Sequence, residues 1–252
     1  MTGNRFAGET CAYCCTEPST SDDHVFARRF FVETQRPGLV QVPACAACNG
    51  DKNKLESEMM VVLGFAGRHA DATENLSGQV ARRLANKANA RIARDLRAGT
   101  SALWVVETGV VRQGMSVPVD WGKVEALFSF IARGLAWQHF DKLQLGSDCS
   151  VSIVNLVGRD GHVFRQFLGL NAGRCVDEDV GQGTFHYRGA QAADNPQITV
   201  WEFSIYGGIR TAESGDGAHN IGVMTGPKRI VDKGRSTRDL LDRWRKRTRV
   251  HG

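Results

Sequence analysis

Two short segments, Cys11-Ala-Tyr-Cys14 and Cys45-Ala-Ala-Cys48, decide the fold of the N-terminal part of this chain. Each segment places two thiols across a tight turn, and the residues between the segments are numerous enough for the two turns to meet in space. Four thiolates form the closed, tetrahedral coordination of a structural zinc, so we expect the chemistry to take place elsewhere. Buried or redox-active thiols are the alternative interpretation, and Cys15 is an alternative ligand to Cys14.

The residues around these turns include the types that metal-dependent hydrolysis needs. Asp23 offers a carboxylate for a hard cation, and His24 offers an imidazole whose unperturbed pKa suits a general base near neutral pH. Asn49 directly follows Cys48, so a folded zinc site would fix its position. A solvated turn is the alternative interpretation of the Asp-His pair, and a helix cap is the alternative for Asn49.

Taken together, these residues resemble the HNH endonucleases, which have a ββα-metal fold supported by a zinc knuckle. The resemblance lies within residues 8–66 and is carried by Asp23-His24-Val25-Phe26 and Cys45-x2-Cys48-Asn49-x2-Lys52. It implies that Asp23 is a ligand of a catalytic Mg²⁺ or Mn²⁺, that His24 deprotonates the attacking water, and that Asn49 completes the metal site.

Two positions depart from the family pattern. Ala27 stands where family members often have Pro, and only Gln41 is available in place of the Asn that orients the base histidine. These departures favour an alternative function, that of a non-catalytic zinc-containing nucleic-acid-binding protein. The presence of Asp23, His24 and Asn49 opposes it, and we expect an endonuclease that hydrolyses phosphodiester bonds in nucleic acid, with double-stranded DNA as the substrate.

Positive charge is concentrated in residues 67–99 and 228–252, as expected of surfaces that contact a phosphate backbone. Over the whole chain, 32 Lys and Arg against 27 Asp and Glu give a net charge of +5. Apolar residues recur every fourth position from Val80 to Leu96 and predict an amphipathic basic helix that ends at Gly99. The C-terminal segment predicts a short helix with a basic cluster, for which a solvated tail is the alternative. The candidate nucleic-acid contacts are Arg28, Arg29, Lys52, Arg83, Lys87, Arg91, Arg94, Arg243, Arg245, Lys246 and Arg247.

The intervening sequence predicts strands and one long helix. Trp121 to Phe140 has the apolar spacing of a helix with a buried face. Gly158-Arg-Asp-Gly161 predicts a hairpin turn between two strands. The strand-like runs are Ala102 to Arg112, Ser150 to Val157, His162 to Leu168 and Gln197 to Tyr206. These patterns indicate an α+β domain with an antiparallel sheet but do not indicate its ligand.

The predicted architecture is thus α+β throughout. It comprises a zinc-stabilised ββα-metal module at 1–66, a basic helical linker at 67–99, an α+β domain at 100–227 and a basic tail at 228–252. No apolar run reaches the ~18 residues typical of a membrane span, and the N-terminus lacks the apolar core of a signal peptide. We therefore expect a cytoplasmic protein without a membrane partner, in which reduced thiols are available to zinc.

Overall fold

The computed structural model describes residues 5–66, 70–75, 78, 80–86, 90–107, 109–156, 158–208 and 220–231. The fold is mixed α+β with antiparallel sheets, as the sequence predicts. The strands are β1 (Ser21–His24), β2 (Gln41–Ala44), β3 (Ser101–Glu107), β4 (Val110–Ser116), β5 (Cys149–Asn155), β6 (Cys175–Val180), β7 (Phe185–Gln191), β8 (Thr199–Ile205) and β9 (Ile221–Pro227). The helices are α1 (Ala46–Ala66), α2 (Ala70–Asn75), α3 (Ala81–Ala85), α4 (Ala90–Gly99), α5 (Trp121–His139), α6 (Gly158–Leu170) and α7 (Lys228–Val231).

The N-terminal part has the chain order β1, β2, α1. The two strands pair antiparallel, with Asp23 opposite Val42 and His24 opposite Gln41. Helix α1 begins only two residues after β2 ends, so its first turn stays beside the strand pair. This connection brings Asn49, in the first turn of α1, close to the residues of β1.

Helix α5 packs between this N-terminal part and the large sheet, and contacts α1, β2, β5 and β9. Asp120 caps the helix, because its side chain accepts a hydrogen bond from the amide of Lys123. The buried side chains recur every three or four residues along one face: Val124, Leu127, Phe128, Ile131 and Leu135. At Gly134 the helix approaches the segment after β1 so closely that an added Cβ would lie 2.9 Å from Cγ2 of Val25.

The large sheet has five antiparallel strands in the order β5-β9-β8-β7-β6. On β8, Trp201 and Phe203 face the core that includes α5, whereas Val200 joins a smaller cluster beneath α6. The larger cluster of buried residues includes both Cys11, in the first cysteine turn, and Val223, on β9. The predicted 1–66 module therefore shares its core with the sheet.

Several predicted elements are confirmed. The helix predicted at 121–140 is α5, the run at 150–157 overlaps β5, and the run at 197–206 contains β8. The predicted helix end at Gly99 is the end of α4. None of the described helices combines the length and apolar character needed to cross a bilayer.

The predicted hairpin turn at Gly158–Gly161 and the strand at His162–Leu168 are wrong, because both segments belong to α6. Val163, Phe164, Phe167 and Leu168 are buried and have the spacing of one helical face. Gly161 is required by packing, since a Cβ there would lie 1.8 Å from the carbonyl oxygen of Leu156. Glycine thus reflects a close backbone approach at this position, and not a turn.

Three further predictions differ in their boundaries. The run at 102–112 is a hairpin of β3 and β4, because Gly109 adopts a positive φ of 80° and turns the chain. The basic helix from Val80 comprises α3 and α4, and the linker predicted at 67–99 also contains α2, which precedes them. The predicted C-terminal helix lies outside the described residues.

Candidate active site and metal centre

The four predicted zinc ligands meet in one place. The Sγ atoms of Cys11, Cys14, Cys45 and Cys48 all lie within 4.8 Å of one another. Those of Cys14 and Cys45 are 3.9 Å apart. A tetrahedral zinc with Zn–S bonds of about 2.3 Å requires sulfur separations of about 3.8 Å, so only a small contraction is needed. The tetrad can hold a structural metal ion such as zinc, as the sequence predicts.

Backbone hydrogen bonds hold the two cysteine turns against each other. In the first turn the amide of Cys15 donates to the carbonyl of Cys11 at 3.0 Å, and Cys15 itself has a positive φ of 58°. The amide of Ala12 reaches across to the carbonyl of Pro43 at 2.9 Å. The first turn is therefore fixed to the strand that leads into the second turn, and the site is largely formed by the fold.

The thiols of the tetrad differ in acidity. Burial raises the pKa of Cys11 and of Cys48. Burial also acts on Cys14, but hydrogen bonds from the side chain of Thr16 and from the amides of Glu17 and Thr16 outweigh it and lower its pKa to about 6. A bound cation favours the thiolate form of every ligand. The thiolate of Cys14 thus forms more readily than that of Cys11 or Cys48.

A buried polar cluster lies next to the tetrad and includes Asp23. Oδ2 of Asp23 accepts a hydrogen bond from the hydroxyl of Tyr13 at 2.6 Å and lies 3.0 Å from Nζ of Lys52. Lys52 also donates to the carbonyl of His24 at 2.6 Å and to Oε1 of Glu56. Both contacts that the described residues make with the Asp23 carboxylate use Oδ2, which leaves Oδ1 for a ligand.

His24 is held in an environment that favours its neutral form. Burial lowers its pKa from the ordinary value of 6.5, and the cationic side chain of Arg28 adds to this effect, while Asp23 opposes it. Gln41 lies directly opposite His24 in the strand pair, where paired side chains share a face. Gln41, which the sequence offers in place of the missing Asn, thus lies beside the histidine.

Asn49 is oriented by its amide nitrogen. Its Nδ2 donates to Oγ of Ser21 at 2.9 Å, and Oγ of Ser21 donates in turn to the carbonyl of Ala44 at 3.2 Å. The amide oxygen of Asn49 is therefore the atom left for a ligand. A carboxylate oxygen of Asp23 and an amide oxygen are hard donors of the kind that Mg²⁺ and Mn²⁺ prefer, so these side chains fit such a cation.

Asp23, His24 and Asn49 line a single cavity of about 450 Å³. Its other lining residues include three arginines, Arg28, Arg29 and Arg36, together with Asn53 and Glu56. The cavity thus combines two hard oxygen donors, a neutral imidazole and several guanidinium groups, which is suited to binding and hydrolysing a phosphate ester.

The arginines differ in how firmly the protein holds them. Arg29 donates to Oγ of Ser57 at 2.6 Å and to Oδ1 of Asn53 at 2.7 Å, both on α1. The Nε of Arg36 donates to the carbonyls of Arg28 and Phe31 at 3.1 Å. Arg28 is exposed at the cavity. Arg29 and Arg36 are therefore held in fixed positions at the cavity wall.

Lys52 occupies a different environment from the one expected. Its side chain is only 1% exposed and lies between two carboxylates and a backbone carbonyl. The prediction of a phosphate contact does not fit this placement, because the ammonium group faces the interior. Arg94 is exposed on α4. Lys87, the side chains of Arg83 and Arg91, and the predicted contacts Arg243, Arg245, Lys246 and Arg247 lie outside the described part of the chain.

Three residues of this region were missed by the sequence interpretation. Tyr13 lies between two ligand cysteines, and Glu56 follows Lys52 by one helical turn, a spacing typical of an ion pair. Both signals were present in the sequence. Arg36 carries no comparable signal, because only the folding of the segment between β1 and β2 brings it to the cavity.

Comparison of this chain with protein-family models, with curated proteins and with solved structures found no match.

Proposed function

We propose that this protein is a metal-dependent endonuclease of the HNH type that hydrolyses phosphodiester bonds in nucleic acid, with double-stranded DNA as the substrate. The observation that carries the proposal is that Asp23, His24 and Asn49 line one cavity, at the junction of β1 and α1 and together with three arginines. The cysteine tetrad next to this junction supports it, because a structural zinc there would stabilise the strand and helix that carry the reacting groups.

Each side chain has a chemical task in this proposal. His24 accepts the proton of the attacking water, for which a lowered pKa keeps the imidazole neutral near pH 7. Oδ1 of Asp23 and the amide oxygen of Asn49 hold the divalent cation. Mg²⁺ or Mn²⁺ supplies charge stabilisation of the phosphate and of the leaving oxygen when it is bound. Arg28 and Arg36 contact substrate phosphates at the cavity.

The test is cleavage of supercoiled plasmid DNA by zinc-loaded protein that contains no other metal. Addition of Mg²⁺ or Mn²⁺ should produce nicked or linear DNA, whereas the same protein without the added ion should not. Withholding the ion is preferable to adding a chelator, since a chelator would also remove zinc from the tetrad. Retarded migration of DNA without cleavage at every cation concentration would contradict the proposal. It would instead favour the non-catalytic nucleic-acid-binding protein.

A further inference from the structure

Tyr13 contacts both the cysteine tetrad and the catalytic carboxylate. Its amide donates to Sγ of Cys11 at 3.4 Å, and its hydroxyl donates to Oδ2 of Asp23 at 2.6 Å. The ring is packed edge-on against Phe130 of α5, with centroids 5.1 Å apart. The side chain is therefore fixed at both ends, and its position follows that of the first cysteine turn.

Two donors hold the carboxylate of Asp23. The hydroxyl of Tyr13 donates to its Oδ2. Lys52 contributes a second contact to the same oxygen of Asp23. With Oδ2 held by two donors, the carboxylate cannot rotate without losing both, so Asp23 keeps one orientation at the cavity that it lines.

A hydrogen bond that orients a metal-binding carboxylate affects the affinity of the metal. We propose that Tyr13 is a positioning residue that couples the cysteine tetrad to the cation site, by holding Asp23 in the orientation that binds the catalytic Mg²⁺ or Mn²⁺. This inference rests on the proposed function. It predicts that, in the zinc-loaded protein, the affinity of the cavity for the second ion depends on this one hydroxyl group.

The test removes only that hydroxyl, in Tyr13→Phe, and uses Tyr187→Phe as the matched control. Tyr187 is also buried and also donates to a carboxylate, Oε2 of Glu178 at 2.8 Å, but it lies in the large sheet. Binding of Mn²⁺ to the zinc-loaded proteins is measured by electron paramagnetic resonance, which needs no cleavage. We expect Tyr13→Phe to weaken Mn²⁺ binding about 10- to 100-fold, with one zinc per chain retained, and Tyr187→Phe to bind Mn²⁺ as the wild type does.

A second variant, Phe130→Leu, keeps the hydroxyl and loosens the packing of the Tyr13 ring, so a smaller loss of Mn²⁺ affinity is expected. Wild-type Mn²⁺ affinity in both Tyr13→Phe and Phe130→Leu would overturn the inference. An equal loss in Tyr187→Phe and Tyr13→Phe would also overturn it, because the effect would then be one of general stability. In both cases cleavage by the wild type would leave the proposed function intact. A wild-type protein that neither binds Mn²⁺ nor cleaves DNA would overturn both.

Discussion

At the scale of single residues, Lys52 shows what the sequence alone could not supply. Its spacing after Cys48 and Asn49 resembled a family motif, and a basic residue in such a motif suggested a phosphate contact. The structure instead encloses the ammonium group between Asp23, Glu56 and the carbonyl of His24. The sequence was sufficient to identify Asp23, His24 and Asn49 as candidates. It was not sufficient to predict the burial of Lys52, which distinguishes a structural charge from one that binds a ligand.

We predict that Lys52→Met lowers the free energy of unfolding by about 3–5 kcal/mol, because it leaves two buried carboxylates without a cation. Lys54→Met is the control, since Lys54 and its partner Asp51 form a pair at 2.9 Å with side chains 78% and 66% exposed. An exposed pair of this kind contributes about 0–1 kcal/mol. Urea unfolding of the two variants measures the difference. Equal, small losses would show that the Lys52 cluster is not a buried charge network.

The rate of DNA cleavage should fall as the pH decreases through the pKa of His24. That pKa is lowered below 6.5, so the imidazole loses its basic form only at pH values under 6.5. The free energy of unfolding depends on pH in the same direction. The unfolded chain binds this proton more readily than the folded chain does, so the stability of the protein decreases as the pH falls below 6.5. The dependence of kcat/KM on pH gives the value for the free enzyme. A decrease of kcat/KM towards acid pH with its midpoint above pH 6.5 would exclude His24 as the base in this environment.

At the scale of secondary-structure elements, the large sheet and α5 act as a platform for the cavity. Phe26, two residues after His24, packs at a tilt against Phe185 with ring centroids 4.7 Å apart, and the hydroxyl of Tyr206 donates to the carbonyl of Phe30 at 2.7 Å. Residues that follow β1 are thus anchored to β7 and to the end of β8. Helix α5 was predictable from its apolar period. Its packing against Val25 was not predictable, since such contacts depend on the tertiary fold.

We expect Gly134→Ala to destabilise the protein by about 1–3 kcal/mol, because the added methyl overpacks the contact between α5 and Val25. Gly169→Ala on α6 is the control. A Cβ at Gly169 meets nothing within 4 Å, so the higher helix propensity of Ala should stabilise this variant by up to about 1 kcal/mol. Thermal unfolding distinguishes the two. A stabilised Gly134→Ala would show that the helix and the segment after β1 are not closely packed.

At the scale of the whole molecule, one hydrophobic core extends from the cysteine turns to β9. The sequence predicted the mixed α+β class and the cysteine tetrad, because periodicity and cysteine spacing are local signals, whereas the order of two strands and a helix was implied only by the family resemblance. It did not indicate the shared core, and it missed β6, β7 and β9. Strand β6 is largely acidic and exposed, and the buried β9 contains two glycines and a proline, so neither has the pattern of a typical strand. Strand β7 has buried Phe185 and Tyr187 in alternation, a signal that could have been recognised.

Because the core is shared, loss of zinc should destabilise the sheet as well as the N-terminal part. Cys45→Ser should lower the zinc content to below one per chain and remove folding free energy on the order of 10 kcal/mol, comparable with the total stability of a domain. Cys175→Ser is the control, since Cys175 is exposed on β6 and far from the tetrad in the chain. Circular dichroism and zinc analysis follow the two variants. A sheet signal that melts at the wild-type temperature in Cys45→Ser would show that the two parts are independent.

His24 is proposed as the base of a DNA-cleaving site, and a matched pair of histidine substitutions distinguishes this role from a structural one. His186 also contacts a carboxylate, with its Nε2 2.7 Å from Oδ1 of Asp177, but it lies on the large sheet outside the cavity. Single-turnover cleavage of plasmid DNA in Mg²⁺ or Mn²⁺ should be slowed about 10²- to 10⁴-fold in His24→Ala, with zinc content and unfolding temperature retained, and should be unchanged in His186→Ala. Equal cleavage rates in wild type and His24→Ala would show that His24 is not the base.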